Sequence, residues 1–310
     1  VFFGTPDFAV ASLEALVNAS FDVVGVVTAP DKPAGRGHKL QAPPVKVFAE
    51  QHGIKVLQPP RLKAEEFIDE LRRLKADLQI VVAFRMLPEV VWNMPELGTY
   101  NVHASLLPDY RGAAPINWAI IRGEKKTGVT TFKLKHEIDT GNTLLQAAIA
   151  IEPNDTAGSL HDKLMALGAE TLVKSVKLIA EGNTELKPQP EQAQEKHAPK
   201  IFKEDCRIHW NQTAQEVHDF VRGMAPFPGA FTDVDVSGVT QKWKIAGTAL
   251  SGEKADGPGL IRIREHQLQI STQDEWLDIK TIQAPGKKRL NTDEFLRGAR
   301  FEPDSLKIIA

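Results

Sequence analysis

The sequence predicts an α/β fold: a Rossmann-like, doubly wound, mostly parallel sheet followed by a small β-barrel of OB-like type. Three observations predict it. In the first half, short apolar runs alternate with segments of helical period, and that alternation implies parallel strands joined by right-handed crossovers. From Asn183 to Lys200 the composition changes to Pro, Gln, Glu and Lys, as in a linker. Beyond it come short alternating segments separated by Gly, Pro and Asp turns, as in a small barrel.

The elements follow in order. Val1–Phe3, Val23–Thr28, Lys55–Leu57, Leu78–Ala83 and Tyr100–Val102 read as strands. Phe8–Val17, Pro44–Gln51 and Glu65–Leu74 read as amphipathic helices, with Thr5 as the cap of the first, Pro6 in its first position and Gly53 ending the second. Thr127–Leu134 and Thr143–Ala150 read as a later strand pair. A long helix follows, capped at Asp155 or Thr156 and ended by Gly182, with Leu160, Leu164, Leu167, Val173, Val176 and Ile179 as its core stripe. In the second part Ala214–Arg222 and Thr292–Gly298 read as helices. The strands there are Gly229–Val236, Gln241–Thr248, Gly259–Arg264, Leu268–Ser271 and Trp276–Ile282. This divides the chain into a catalytic domain over 1–182, a linker over 183–200 and a barrel over 201–310.

The bulk numbers narrow the function classes. At 310 residues the chain can bury one large or two medium cores. Its single cysteine, Cys206, excludes an internal disulfide framework and fits a reducing compartment, so the cytoplasm is the expected location. No apolar run is long enough to span a bilayer, and no membrane partner is expected. The chain opens at Val1 inside a strand, so a short native N-terminus is expected before it. A net charge of −2 argues against wholesale coating of nucleic acid and leaves local basic clusters open.

The most informative pattern is Asn101-Val-His103-Ala-Ser-Leu-Leu-Pro108 followed by Asp139-Thr-Gly141. An amide and an imidazole can stabilise charge on a carbonyl oxygen, and a carboxylate can orient the imidazole or take a proton. No Ser or Cys nucleophile is needed, which points to direct transfer of an acyl-type group. Each fragment alone also reads as an ordinary turn, with Gly141 at a positive φ. His103, His136 and Asp139 could bind zinc, but the spacing lacks a third anchored ligand and no metal is expected. Gly4-Thr-Pro-Asp-Phe8 is not a dinucleotide fingerprint.

Two further segments are basic or apolar. Ala29–Lys39, with Lys32, Arg36, His38 and Lys39, is long for a βα connection; it is a phosphate-following loop or a solvated one. Ala83-Phe-Arg-Met-Leu-Pro88 follows a buried strand, where Phe84, Arg85, Met86 and Leu87 could hold a flat ring or pack into the core. Gly286-Lys-Lys-Arg289, with Lys242 and Lys244, is either a solvated face or an RNA-contact surface.

Several stretches together resemble the methionyl-tRNA formyltransferase family: Gly4–Ala9, Pro30–Gly37, Val45–Val47, Asn101–Pro108, Arg111–Ile116, Asp139–Gly141, Pro226–Ala230 and Pro285–Lys288. The resemblance covers essentially the whole chain. It implies transfer of the formyl group of 10-formyltetrahydrofolate to the α-amino group of methionyl initiator tRNA, by direct attack through a tetrahedral intermediate. The implied catalytic residues are Asn101, His103 and Asp139. The implied folate surface is Phe84, Arg85, Met86, Leu87, Ser105, Leu106, Leu107, Pro108, His136 and Glu137. The implied tRNA surface is Lys32, Arg36, His38 and Lys39 with Lys287, Lys288 and Arg289. The expected state is a monomer. The sequence departs from the family at Ala83-Phe-Arg, where Ala-Tyr-Gly is common, and at Ile138 and Asn142, where Gly and Asp are common. Hydrolysis of the formyl-folate, formylation of another amine and a non-catalytic RNA-binding role are the alternatives.

Overall fold

The computed structural model describes residues 1–34, 39–190, 196–298 and 306–309. The chain divides into two compact units. The first holds Val1–Gly112, Lys126–Ile149 and His161–His197; the second holds Ala113–Lys125, Ala150–Leu160 and Ala198–Ala310.

The first unit is built on one sheet of seven strands: β1 (Phe2–Gly4), β2 (Val26–Val27), β3 (Val56–Leu57), β4 (Gln79–Val82), β5 (Thr99–His103), β6 (Lys126–Lys133) and β7 (Thr143–Ala150). Their spatial order is β7-β6-β5-β4-β1-β2-β3. The pairs from β3 through β5 are parallel, and β6 joins β5 antiparallel. The sheet is therefore mostly parallel and doubly wound, as the alternating pattern requires. Strand β2 is shorter than its apolar run because β1 offers only Phe2 and Phe3 as partners for Val26 and Val27.

Alternation along β1 assigns the helices to faces. Phe3 joins a cluster with Phe67 and Leu71 of α3 (Glu65–Arg73). Gly4, one residue on, faces α1 (Asp7–Asn18): a Cβ on Gly4 would lie 2.6 Å from the Ala9 Cβ. α2 spans Pro44–Gln51, the predicted range. The cap of α1 differs from expectation. Pro6 is the N-cap, with no side-chain hydrogen bond, and Asp7 is the first helical residue. Its carboxylate complements the helix dipole instead.

The long helix α4 (Ala157–Ala180) begins with a reciprocal cap, in which Thr156 and Ser159 each accept the other's backbone N–H, at 3.1 and 3.0 Å. Its buried stripe runs through Leu160, Leu164, Gly168, Leu172, Val176 and Ile179, while Leu167 and Val173 are half-buried. The shift has a cause. Gly168 brings the helix close to Val102 and Val129, and Ser175 bonds Thr131 at 2.7 Å, so two small residues sit where larger apolar ones were expected.

In the second unit, β8 (Ala230–Val236), β9 (Val239–Lys254), β10 (Ile261–Arg264), β11 (Gln267–Ser271), β12 (Glu275–Gln283) and β13 (Leu306–Ile309) form an antiparallel, barrel-like sheet in the order β10-β11-β12-β9-β8-β13. α5 (Ala214–Met224), capped by the reciprocal Thr213–Glu216 pair, inserts Val217, Val221 and Met224 into a core with Trp243, Ile245 and Leu277. β9 runs well past the expected Gln241–Thr248. Register shifts at Ile245/Gly247, Gly247/Thr248 and Leu250/Lys254 let the strand bend and stay paired with β12 beyond Thr248. Among the described residues no helix is long and apolar enough to cross a membrane.

Candidate active site

In a parallel sheet of this order the ligand crevice lies outside the carboxyl ends of the strands, where the order reverses. Here β1 is flanked by β2 on one side and β4 on the other, and β5 is the next strand along. Asn101 and His103 close β5. Being two residues apart on a strand, they present their side chains to one face. The Asn101 amide is half-buried, and among the described residues no hydrogen bond holds it.

His103 is buried, and its orientation is defined. Nε2 lies 2.8 Å from the carbonyl oxygen of Tyr110. A carbonyl only accepts, so Nε2 carries the proton and donates it. Nδ1 then faces Asp139, with 3.8 Å to its Oδ2; the two side chains are 8% and 11% exposed. Asp139 Oδ2 also accepts the Gly112 N–H at 3.0 Å. The ring thus donates at Nδ1 only when both of its nitrogens carry a proton. The donor bond of the ring in this structure runs to the Tyr110 backbone.

Backbone conformation is unusual here. Ala83, Tyr110 and Asp139 have φ of 47°, 61° and 53°. Among the described residues, Ser20, Lys75, Ser237 and Glu265 are the other non-glycine residues in this region of φ. A left-handed L-residue costs about 1–2 kcal/mol, and such conformations persist where surrounding bonds over-determine them. Asp139 meets that condition. Gln189 donates its amide to the carbonyls of Asp139 and Gly141, both at 2.8 Å, and accepts from Arg111 Nε and Nη2 at 3.1 and 2.7 Å. Gly141 is required for space rather than for a positive φ. A Cβ there would lie 1.8 Å from the Lys133 carbonyl oxygen.

The Ser105–Pro108 segment is held from β6 and β7. Thr130 Oγ1 donates to the Ser105 carbonyl and accepts the Leu107 N–H, at 2.7 and 3.0 Å. Gln146 donates to the Leu107 carbonyl at 2.8 Å. Ser105 Oγ donates to the Asp109 carbonyl at 2.6 Å, so this hydroxyl is engaged in the turn. Ser105, Leu107 and Pro108 are buried, and Leu106 is half-buried near Gly128.

Of the other expected folate residues, Leu87 packs into the α3-side core, and Phe84 stands at that core's edge, its ring 5.7 Å from that of Phe3. Arg85 turns its guanidinium to the carbonyls of Pro59 and Pro60. Met86 is 70% exposed. His136 and Glu137 are exposed, and Glu137 accepts from Thr140. Of the expected tRNA residues, Lys32 is exposed on a small hairpin that pairs Lys32–Ala34 with Lys39–Gln41, whereas Arg36 and His38 lie outside the described residues. Lys287, Lys288 and Arg289 are exposed on the second unit. Among the described residues no group of three His, Cys, Asp or Glu side chains is placed to hold a metal ion.

Pattern reading missed Gln189, Thr130, Gln146 and the Tyr110 and Gly112 backbone groups. Only the Arg111-Gly dipeptide beside the main motif carried a signal for any of them.

Likeness to known proteins defines the class: the chain is a formyltransferase. Residues 1–176 match the formyl transferase family model, and residues 200–300 match the model of the formyl transferase C-terminal domain. The methionyl-tRNA formyltransferase of Bacteroides fragilis is 53% identical over 304 residues, covering 96% of this chain and 94% of that one. That of Flavobacterium johnsoniae is 45% identical over 306 residues, with 98% and 97% covered. The fold is also that of WlaRD, a sugar 3N-formyl transferase solved in the presence of dTDP and 5-N-formyl-THF, with a TM-score of 0.67 at 20% identity and 93% and 97% coverage. The chain belongs to the methionyl-tRNA formyltransferase family.

Proposed function

We propose that this chain transfers the formyl group of 10-formyltetrahydrofolate to the α-amino group of methionine on initiator tRNA, for translation initiation. The observation that carries the reading is the half-buried Asn101 amide, held by no hydrogen bond among the described residues, on the same strand face as His103, whose ring faces Asp139. The folate is a co-substrate; Phe84, Met86 and Leu106 offer its surface.

The chemistry follows from the groups. An α-amine with a pKa of roughly 7.7–8.0 is partly neutral at physiological pH and attacks the formyl carbon directly. Asn101 donates to the developing oxyanion; one such donor is worth about 2.7–4 kcal/mol. His103 adds a second donor from Nδ1 when that nitrogen carries a proton. Asp139 orients the ring and collects the amine proton. The tetrahedral intermediate then collapses, and the leaving folate nitrogen is protonated.

Residues 1–182 supply catalysis in this reading. The segment around Arg36 and the 201–310 domain supply a tRNA surface, and the enzyme works as a cytoplasmic monomer. The identities of 45–53% over nearly the whole chain support this acceptor over a sugar amine. Formylation of methionyl initiator tRNA by the purified protein tests it. Release of formate without labelled methionine would assign the site to hydrolysis instead.

A further inference from the structure

Phe227, between Pro226 and Pro228, is 81% exposed, the largest value among the exposed large apolar side chains of the described residues. Single exposed apolar residues are ordinary on protein surfaces. Two things set this one apart. The first is that its backbone is pinned on both sides. The Gly229 N–H donates to the Met224 carbonyl at 2.9 Å, and the Gly158 N–H donates to the Ala225 carbonyl at 3.0 Å. The first turn of α4 seats the loop so closely that a Cβ on Gly158 would lie 2.5 Å from Pro226 Cδ. The flanking prolines fix their own φ angles. The ring is therefore presented to solvent by an ordered loop.

The second is charge. Arg289 reaches the Pro226 carbonyl at 3.5 Å, which brings the Gly286–Arg289 turn beside this loop. That turn is itself held, by Lys287 N–H to Ala284 at 3.1 Å and by Gln283 to the Lys287 carbonyl at 2.8 Å. Lys287, Lys288 and Arg289 are all exposed. The nearest acids in sequence are engaged within their own helix: Asp293 pairs with Arg297 at 3.0 Å, and Glu294 accepts the Asn291 N–H at 3.4 Å.

We infer that Phe227 is a stacking platform for an unpaired base of the tRNA, with Lys287, Lys288 and Arg289 on the adjoining phosphates. This rests on the tRNA reading above. A base offers a flat face to the ring, while its backbone supplies the negative charge that the cations complement; stacking of this kind is sequence-tolerant. A preset ring also loses little freedom on binding.

The test measures dissociation constants of the full chain for methionyl initiator tRNA across a salt series. Phe227→Ala weakens binding about tenfold, within the range of base–aromatic stacking, and leaves the salt slope unchanged. Phe227→Leu is as weak as Ala, because an aliphatic side chain has no π face. Phe227→Trp binds at least as well as the native protein and gains indole emission that tRNA quenches. The Lys287→Ala/Lys288→Ala pair lowers the salt slope by about 0.7–0.9 for each phosphate no longer neutralised. Binding by Phe227→Ala within twofold of the native protein, or full binding by Phe227→Leu, overturns the inference. Should the Ala variant not fold, the Leu and Trp variants decide it. Native protein that neither binds nor formylates the tRNA removes the functional reading as well. Native activity with an indifferent Phe227 removes this inference alone.

Discussion

Asp139 combines a left-handed backbone, a carboxylate facing His103 and a bond from the Gly112 N–H, so its side chain and its main chain are separately constrained. Asp139→Asn keeps the shape and removes the charge. Single-turnover kinetics should show a loss of about 10²–10⁴-fold in formyl transfer, with folate binding nearly unchanged by titration. Equal loss of both would mean a structural role. Asn101→Ala, which deletes one oxyanion donor, should cost about 10²–10³ in turnover. A third residue bears on stability rather than chemistry. His218, 2.9 Å from Thr248 Oγ1, has its pKa lowered from 6.5, chiefly by burial; Arg222 also lowers it, while Asp219 and the Pro153 backbone oppose. The unfolded chain binds that proton more readily, so the contribution is complete above the unfolded value and is lost as pH falls below it. Thermal melts from pH 8 to 5 should show a falling midpoint that is shallower in His218→Gln. An equal slope in both proteins would assign the effect elsewhere. At this scale the approach of Asp139 to His103 was legible from the order of the two motifs. Tyr110 was not, since its part is played by a backbone carbonyl that any residue supplies.

The elements show where sequence pattern succeeds and where it stops. α2 follows its predicted bounds because Pro44 opens it and its apolar period is short and clear. The α4 stripe moved to Gly168, Leu172 and Ser175 because close approach and a Thr131–Ser175 bond are matters of packing, to which a count of apolar residues is blind. The segment after α4 read as a spacer, yet two of its residues return to the stretch from Asp139 to Thr143: Lys187 pairs with Thr143, and Gln189 braces Asp139 and Gly141. The Thr143–Lys187 partners lie 44 residues apart in sequence and the Asp139–Gln189 partners 50, with no periodicity to link them. Gln189→Ala should therefore act through position rather than direct chemistry. Turnover should fall by up to about 100-fold while Asp139→Asn is affected far less, because the brace has nothing left to align. Additive losses in the double variant would contradict that coupling.

At the scale of the whole molecule, a chain with net charge −2 must draw a polyanion through local clusters rather than overall attraction. Arg36→Ala should accordingly weaken tRNA binding and flatten its salt dependence, by about 0.7–0.9 in slope where Arg36 neutralises a single phosphate. Unchanged affinity would exclude Arg36 from the tRNA surface. The central claim, however, concerns the reaction, and one measurement reaches it most directly: transfer of labelled formyl from 10-formyltetrahydrofolate to methionyl initiator tRNA, with uncharged tRNA and water-only controls. The account predicts label on the methionine, dependent on the charged tRNA and abolished by Asp139→Asn. Label appearing only as formate, or no turnover of the folate at all, would contradict it.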